Sequence, residues 1–390
     1  MPKNPLVYLL AGLSLFLLSA GISYFAFTGV KLPVATPSSS VSKIALPTKK
    51  PKIDPNLPRT EVCPLNGIMY TTTESSVYEK HRPLAVMIEN HLDSRPTSGV
   101  SSADIVYEAV SEGGITRFMG LFYCGITYES TMFAPVRSAR IYFTKLVPEY
   151  DALYNHVGGA GNCDDPTVDD RAKALCFIRT NKIKDLDQFG RAGDFKTCHR
   201  VTNRLDREVA YEHTMACYSD ELYKVAAKLN WTNVDVKNVP WDKNFVAWKF
   251  KDDPADKGAI TNISFDFWAS KSDYSVSWKY DPVNNQYLRS NGGQTATDLS
   301  TGEQLSAKNV VIQFVKETGP LDEHLHMYYE VVGTGKALIF QDGQAITGTW
   351  TKASVSSRTK FFDDKGKEIQ FTRGQTWIEL VPSANKIEYN

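Results

Sequence analysis

The segment FAPVRSARIYFTKL (residues 133–146) places two arginines three positions apart, directly after a proline. Arg137 and Arg140 each carry a permanent charge and a planar fork of N–H donors that fits a carboxylate or a phosphate. If the chain turns into a helix after Pro135, side chains three positions apart point in about the same direction. We expect Arg140, deeper in the helix, to neutralise buried carboxylates and Arg137 to bind a ligand.

Carboxylates at a regular spacing occur in the segment SGVSSADIVYEAVSEGG (residues 98–114). The segment is predicted to be helical or mixed, because its apolar residues fit helical spacing and a glycine pair ends it. Asp104, Glu108 and Glu112 are four positions apart, so a helix would place them on one face. Arg117 and the two arginines above could meet that face across the domain.

These residues predict a cleft that binds an anionic ligand. Its ligand-binding residues would be Asn90, His91, Arg117, Arg137 and Arg140. If the protein is an enzyme, its catalytic residues would be Glu108 or Glu112 as general acid/base, with His156 or His213 as partner. The same charges could instead form an ion-pair network that only stabilises the fold.

Several other kinds of site are not indicated by the sequence. The segment HVGGAGNCDD has a G-x-G but lacks the third glycine and the lysine of a nucleotide-binding loop. His324 and His326 alternate without a third ligand nearby, so we predict no metal and no cofactor. Lys plus Arg and Asp plus Glu number 44 each, and this balance does not favour nucleic acid as a partner.

The elements that must position these residues change in type along the chain. Strands are predicted over residues 82–90, 115–124 and 152–159, and helices over 139–150 and 220–229, in addition to 98–114. Strands that alternate with helices indicate an α/β domain over residues 61–235. From Trp241 onward, alternating segments separated by turns such as Asp342-Gly343 indicate a β-rich, mostly antiparallel domain over 236–390.

An uncharged apolar segment, Leu6–Phe27, precedes these domains. About 20 apolar residues span a bilayer, so we predict one transmembrane helix. Residues 1–5 would then form a cytoplasmic tip, and the bulk of the chain would lie outside the cytoplasm. A cleaved signal peptide is the alternative. Residues 28–60 are rich in proline and serine and are predicted to be an extended linker.

Six cysteines occur in the chain, all in the first globular half. An even number of cysteines outside the cytoplasm indicates disulfides, although the pairing cannot be read from a sequence. We predict a Cys63–Cys124 bond that ties the start of the first domain to the end of an early strand. The alternative is that several cysteines are buried thiols.

Three motifs occur in order: RPLAVMIENHLDSRPTSGVSSADIVYEAVSEGGITRFMGLF, PVRSARIYF and YNHVGG. With them the chain resembles the YerB-type family of bacterial envelope proteins, although EHT at residues 212–214 replaces the Pro-His-Asn usual in members. The resemblance implies a layered α/β sandwich followed by a β-rich domain, and an association with cell-wall synthesis. Many members are lipoproteins, but no cysteine lies near the apolar segment, so the anchor here would be the helix itself.

These observations predict a membrane-anchored, extracytoplasmic protein of the bacterial cell envelope. It would bind an anionic or glycan ligand, or an envelope protein partner, at the arginines. One alternative is a hydrolase that acts on cell-wall glycan or phosphodiester. The other is a scaffold whose charges are all paired internally.

Overall fold

The computed structural model describes residues 54, 56–126, 130–190, 193 and 197–390. The predicted transmembrane segment 6–27 and most of the predicted linker lie outside the described residues. Across the described ranges, no helix is both long enough and apolar enough to cross a membrane. The described residues all lie in one compact unit, and both predicted domains fall within it.

The first half of the described chain is made of strands and short helices. The strands are β1 (Arg59–Val62), β2 (Met69–Thr71), β3 (Leu84–Glu89), β4 (Ile105–Glu112), β5 (Ile115–Phe122), β6 (Met132–Phe133), β7 (Leu153–His156), β8 (Lys184–Asp187), β9 (Cys198–Arg200) and β10 (Met215–Tyr218). The α-helices are α1 (Thr72–Tyr78), α2 (Ile141–Thr144), α3 (Ala174–Thr180) and α4 (Ser219–Lys228). Short 3₁₀ helices include Leu92–Ser94, Val100–Ser102, Val147–Tyr150 and Tyr211–Thr214.

The second half is built from strands, with 3₁₀ helices at Trp241–Asn244 and Ser272–Tyr274. Its strands are β11 (Lys249–Lys251), β12 (Asn262–Phe265), β13 (Val276–Asp281), β14 (Gln286–Asn291), β15 (Gln294–Thr295), β16 (Ser306–Ala307), β17 (Asn309–Val315), β18 (Glu317–Thr318), β19 (Tyr328–Tyr329), β20 (Gly333–Gln341), β21 (Gln344–Lys352), β22 (Lys360–Asp363), β23 (Gln370–Thr372), β24 (Thr376–Pro382) and β25 (Glu388–Tyr389). The predicted β-rich character of this half is confirmed.

One ten-stranded sheet contains strands of both halves, in the order β22-β21-β20-β17-β24-β4-β5-β3-β7-β8. The two halves join where β24 pairs in parallel with β4, with Thr376 opposite Ile105. Strand β24 also pairs in parallel with β17 on its other side. The fold is therefore sheet-rich throughout, and the two predicted domains share their main sheet. The domain boundary at residue 235 stays a prediction.

A second sheet has the order β15-β14-β13-β12-β25, with β16 also paired to β14, and packs on one face of the large sheet. Along β13 every second residue is buried, as expected for a strand with one face in the core. Trp278 of β13 meets Trp377 of β24 edge to face, with ring centroids 5.2 Å apart. These two fully buried indoles fill the space between the sheets, where such aromatic pairs contribute beyond their buried area.

The segment 98–114, predicted to be helical or mixed, contains a short 3₁₀ helix at Val100–Ser102, but its apolar stretch Ile105–Glu112 is strand β4 and not a helix. Every residue of β4 except Glu112 is buried, because both faces of the strand are covered. The strand therefore lacks the apolar–polar alternation that would have revealed it in the sequence. The register shifts between Val110 and Glu112, and this bulge changes the face to which Glu112 points. Glu108 and Glu112 therefore lie on opposite faces of the sheet, not on one.

The other predicted elements are confirmed, with one difference in length. Strands β3, β5 and β7 and helix α4 lie where the sequence predicted them. Over 139–150, the α-helix covers only Ile141–Thr144 and continues as a 3₁₀ helix at Val147–Tyr150. Pro148 lies at the start of that 3₁₀ helix and has no N–H to donate to a continued α-helix.

Three disulfides hold the first half together: Cys63–Cys124, Cys163–Cys176 and Cys198–Cys217. The predicted bond between Cys63 and Cys124 is confirmed. It links the residue after β1 to the end of β5, across a sequence separation of 61. The interpretation that several cysteines are buried thiols is wrong, because all six are paired.

Candidate functional site

The face of the large sheet that points away from the second sheet carries Glu112 and the three arginines that the sequence singled out. Glu89 of β3 and Arg117 of β5 are cross-strand partners, so their side chains share this face. The arginine-bearing segment crosses here in an extended conformation. The Arg137 N–H donates to the carbonyl of Met87 at 3.0 Å, and the Arg137 carbonyl accepts from Val157 N at 3.1 Å.

We call Arg117, Arg137, Arg140, Glu89 and Glu112 the arginine cluster. Within it, Glu112 binds two arginines. Arg140 donates from Nε to Oε2 of Glu112 at 2.9 Å, and Arg117 donates from Nη2 to Oε1 at 2.8 Å. Burial opposes the charge of Glu112, but the two guanidinium groups outweigh burial and hold the pKa of that carboxyl far below its usual range. Glu112 is therefore ionised and is not suited to be a general acid.

The other carboxylate of the arginine cluster, Glu89, binds Arg137 and His213. Arg137 Nε lies 3.0 Å from Oε1 of Glu89, and His213 Nδ1 lies 2.8 Å from Oε2. The hydrogen bond to Glu89 raises the pKa of His213 despite partial burial of the ring. The His213 ring also stacks on His91, with ring centroids 4.8 Å apart.

The three arginines differ in how many of their N–H groups are hydrogen-bonded and in how exposed their side chains are. Arg117 donates its remaining Nη1 to the carbonyl of Ser138 at 2.7 Å, and its side chain is only 4% exposed. Arg140 donates Nη1 to the carbonyl of Ala139 at 2.8 Å, and its side chain is 10% exposed. The Arg137 side chain is 25% exposed, and its Nη2 has no hydrogen-bond partner in the described part of the chain. Arg137 is thus the arginine that can reach a ligand.

The side chains of Glu108 and Asn90 point towards the second sheet, away from the arginine cluster. Glu108 is fully buried between the two sheets, where Arg289 donates Nη2 to it at 2.6 Å. Asn90 is 3% exposed, and its amide donates to Thr116 Oγ1 at 2.7 Å and to Asn291 Oδ1 at 2.8 Å. Neither residue presents a free polar group to solvent, so the geometry gives them a structural role.

His156, the second predicted catalytic histidine, is also held inside the protein. Its Nε2 lies 2.8 Å from Oδ1 of Asp185, and its Nδ1 lies 2.8 Å from the carbonyl of Gly158. Both partners are acceptors, and only the doubly protonated ring can donate to both. Burial opposes the charge, but these contacts outweigh burial and raise the pKa of His156. With both nitrogens occupied and no exposed surface, His156 cannot exchange a proton with a ligand as placed.

Two residues of the buried charge network were missed by sequence reasoning. Glu89 stands at the end of the apolar run LAVMIE, and a carboxylate in a fully buried strand is the signal that could have found it. Arg289 stands at a buried position of β14, where strand periodicity alone would place an apolar residue. It binds both Glu108 and, at 3.0 Å from Nη1, Glu379.

Comparisons with known proteins agree with this architecture. Residues 70–232 match the model of the family described as "Protein of unknown function (DUF3048) N-terminal domain", and residues 263–378 match the C-terminal domain of the same family. The chain is 30% identical over 327 residues to "Putative lipoprotein YerB" of Bacillus subtilis strain 168, covering 82% of this chain and 86% of that protein.

The fold is similar to a solved structure as well. The crystal structure of the YerB protein from Bacillus subtilis matches with a TM-score of 0.66 at 26% sequence identity, over 84% of this chain and 100% of that chain. The resemblance read from the three sequence motifs is thereby confirmed. The chain belongs to the DUF3048 family, the YerB-type family, and carries both its N-terminal and its C-terminal domain.

Proposed function

We propose that this protein is a membrane-anchored, extracytoplasmic protein of the bacterial cell envelope that binds an anionic ligand at the arginine cluster. The ligand would be an acidic glycan or an acidic segment of an envelope protein. Arg137 makes the direct contact, while Arg117 and Arg140 keep Glu112 ionised and the local charge positive.

The observation that carries this proposal is the charge balance of the arginine cluster. Three guanidinium groups face two carboxylates, and all five lie on one face of the sheet. Protonation of His213 would add a further positive charge beside Glu89. A multidentate anion suits a guanidinium fork, and at a partly buried site its charge would offset this excess.

Two observations support the location. The protein contains three disulfides. Disulfides form and persist in oxidising compartments and are rare in the cytosol. The relative from Bacillus subtilis is named as a lipoprotein, which is a protein held at a membrane by a lipid. In this chain the apolar segment Leu6–Phe27 would take the place of the lipid.

Binding can be tested with the full chain and three immobilised probes: a poly-glutamate peptide, polyphosphate and a neutral chitin oligosaccharide. We expect retention on the anionic probes that weakens as salt increases, because charge pairing at a partly exposed site is screened. Arg137→Glu should abolish retention, whereas Arg179→Glu, at an exposed arginine outside the arginine cluster, should leave it unchanged. Retention equal for both variants would favour a scaffold with internally paired charges.

A second candidate function, hydrolysis, is favoured by the Glu89–His213 pair. A carboxylate that accepts from one ring nitrogen orients the imidazole and leaves the other nitrogen to act as a base. His213 Nδ1 is 2.8 Å from Glu89, and Arg137 could hold the anionic part of a substrate next to it. Release of sugar or phosphate from cell-wall fragments by the wild type, and its loss in His213→Gln, would support this alternative.

A further inference from the structure

Next to the arginine cluster, His91, Asp93 and His213 come together from two distant parts of the chain. We propose that these three residues bind a divalent transition metal ion of the zinc type. We call them the His-Asp-His site. The proposal does not depend on anion binding by Arg137, because the metal would contact other side chains.

The positions of the ligand atoms support the site. One ligand atom from each of the three residues lies within 4.8 Å of the other two. His91 caps the 3₁₀ helix Leu92–Ser94, and its Nδ1 is 3.7 Å from Oδ2 of Asp93, two positions later. His213 lies in the 3₁₀ helix Tyr211–Thr214 and brings its ring against His91.

Glu89 provides a second, independent indication. It is 3% exposed and accepts a hydrogen bond from His213 Nδ1 at 2.8 Å. This bond fixes the orientation of the ring. In the neutral ring, Nε2 then carries the lone pair that can bind a metal. Metal-binding histidines almost always donate their other ring N–H to a carboxylate, a carbonyl or water, which also raises the basicity of the metal-binding nitrogen. Arg137 in turn contacts the other oxygen of Glu89, with Nε 3.0 Å from Oε1.

The site is accessible, and it can close around an ion with a small movement. The side chains of His91 and Asp93 are 29% and 68% exposed. The two imidazole planes are tilted by 21°, so their in-plane lone pairs lie in separate, nearly parallel planes and one ring must rotate to share an ion. His91 can do so, because its one side-chain hydrogen bond in the described part of the chain is accepted from Asp93 N at 3.2 Å.

The chemistry of the donors selects the kind of metal. Two imidazole nitrogens and one carboxylate oxygen suit Zn²⁺ and neighbouring transition metals, whereas Ca²⁺ and Mg²⁺ require sets of oxygen ligands. Three protein ligands leave a fourth position of a tetrahedral ion for water or for an anion. The neighbouring Arg137 would favour an anion in that position.

The test is a zinc titration of the full chain after removal of bound metal by dialysis against a chelator. We expect one Zn²⁺ per chain by elemental analysis after equilibrium dialysis, together with a higher melting temperature. Glu89→Gln should weaken zinc binding by about 10- to 100-fold, as is typical for residues that hydrogen-bond to a metal ligand. His91→Ala and His213→Ala should weaken it further.

Two further variants control for misfolding and for zinc binding outside the His-Asp-His site. Asp93→Asn changes an exposed side chain, so it should fold normally and still lose affinity. His199→Ala removes an exposed histidine outside the site and should bind zinc like the wild type. The proposal is overturned if the wild type binds no stoichiometric zinc, or if Asp93→Asn and His199→Ala bind it equally.

Discussion

Arg140 and Glu112 are joined through the Glu112 Oε2 atom, with Nε at 2.9 Å and Nη2 at 2.8 Å. Arg117 holds the other oxygen of the same carboxylate. An ionised carboxylate that is bound by two buried arginines is a structural junction, because it ties β4, β5 and the segment before α2 together. Arg137, three positions before Arg140, pairs with Glu89 instead and remains partly exposed.

The two arginines of the motif should therefore differ on substitution. Arg140→Ala removes a partner of a largely buried ion pair and should lower the free energy of unfolding by about 3 kcal/mol. Arg137→Ala changes a partly exposed pair, and Glu89 keeps its bond to His213, so the loss should be about 1 kcal/mol or less. Urea denaturation of both variants measures the difference. Equal destabilisation, with no anion bound by the wild type, would assign the motif to stability alone.

A second prediction concerns the buried group of Arg289, Glu108 and Glu379. Burial and the neighbouring charge of Glu108 raise the pKa of Glu379 well above its usual range, so one proton stays on this carboxyl pair. Glu379→Gln should therefore cost little, because glutamine resembles the protonated acid. The double variant Glu108→Gln/Glu379→Gln leaves Arg289 without a counter-charge and should lose about 3–5 kcal/mol.

The raised pKa of Glu379 also sets a pH dependence. The folded state binds this proton more tightly than the unfolded state, so stability falls as pH rises above about 4.3, the ordinary pKa of glutamate. Glu379→Gln should remove that part of the slope in urea denaturation between pH 4 and pH 8, relative to the wild type. An unchanged slope would mean that the pair does not retain the proton.

The sequence predicted the elements of the sheet better than the faces they present. Strands with apolar runs, such as β3 and β5, were found from the runs themselves. The spacing of Glu108 and Glu112 was misleading, because residues four apart share a face on a helix and on a regular strand alike. The bulge that separates them depends on the pairing of β4 with β5, and no local pattern encodes it.

The candidate site was predicted in part, for a similar reason. The expected helix does not include Arg137 and Arg140, because it begins at Ile141. The structure nevertheless places Arg140 on the carboxylate of Glu112. Ligand binding by Arg137 stays a prediction. Glu89 could not be assigned from the sequence as the partner of Arg137, since this contact joins residues 48 positions apart through tertiary packing. Arg289 binds Glu108 across a sequence separation of 181, which depends on how the two halves dock.

A third prediction compares two disulfides by the length of chain they close. The Cys63–Cys124 bond spans 61 positions and the Cys163–Cys176 bond spans 13. In the chain-entropy account, the longer loop should stabilise by about 1 kcal/mol more. Double cysteine-to-alanine variants, compared by urea denaturation under non-reducing conditions, measure this. A larger loss for the shorter loop would indicate that packing around the cysteines dominates.

A fourth prediction concerns the anchor, which lies outside the described residues. A reporter that works only outside the cytoplasm, fused after Asn390, should be active if Leu6–Phe27 is a transmembrane helix. The isolated protein should also keep its original N-terminus. A mature chain that begins after residue 30 would contradict the anchor, although it would leave export unaffected.

The last prediction concerns His156, whose charge is set by its surroundings. Burial alone would lower its pKa, but the hydrogen bond to Asp185 and the charges of Asp185 and Asp187 outweigh burial and raise it. The folded state therefore binds the proton more tightly than the unfolded state. Its contribution is fully present below about pH 6.5, the ordinary pKa of histidine, and is lost as pH rises through the raised value.

His156→Gln should therefore be less stable than the wild type by about 1–3 kcal/mol at pH 6, because Asp185 and the Gly158 carbonyl lose a charged donor. The difference between the two proteins should shrink as the pH is raised to 9. His199→Gln, at an exposed histidine, is the matched control and should show no such trend. A difference independent of pH would mean that the His156 ring is neutral in the fold, and that it acts by shape alone.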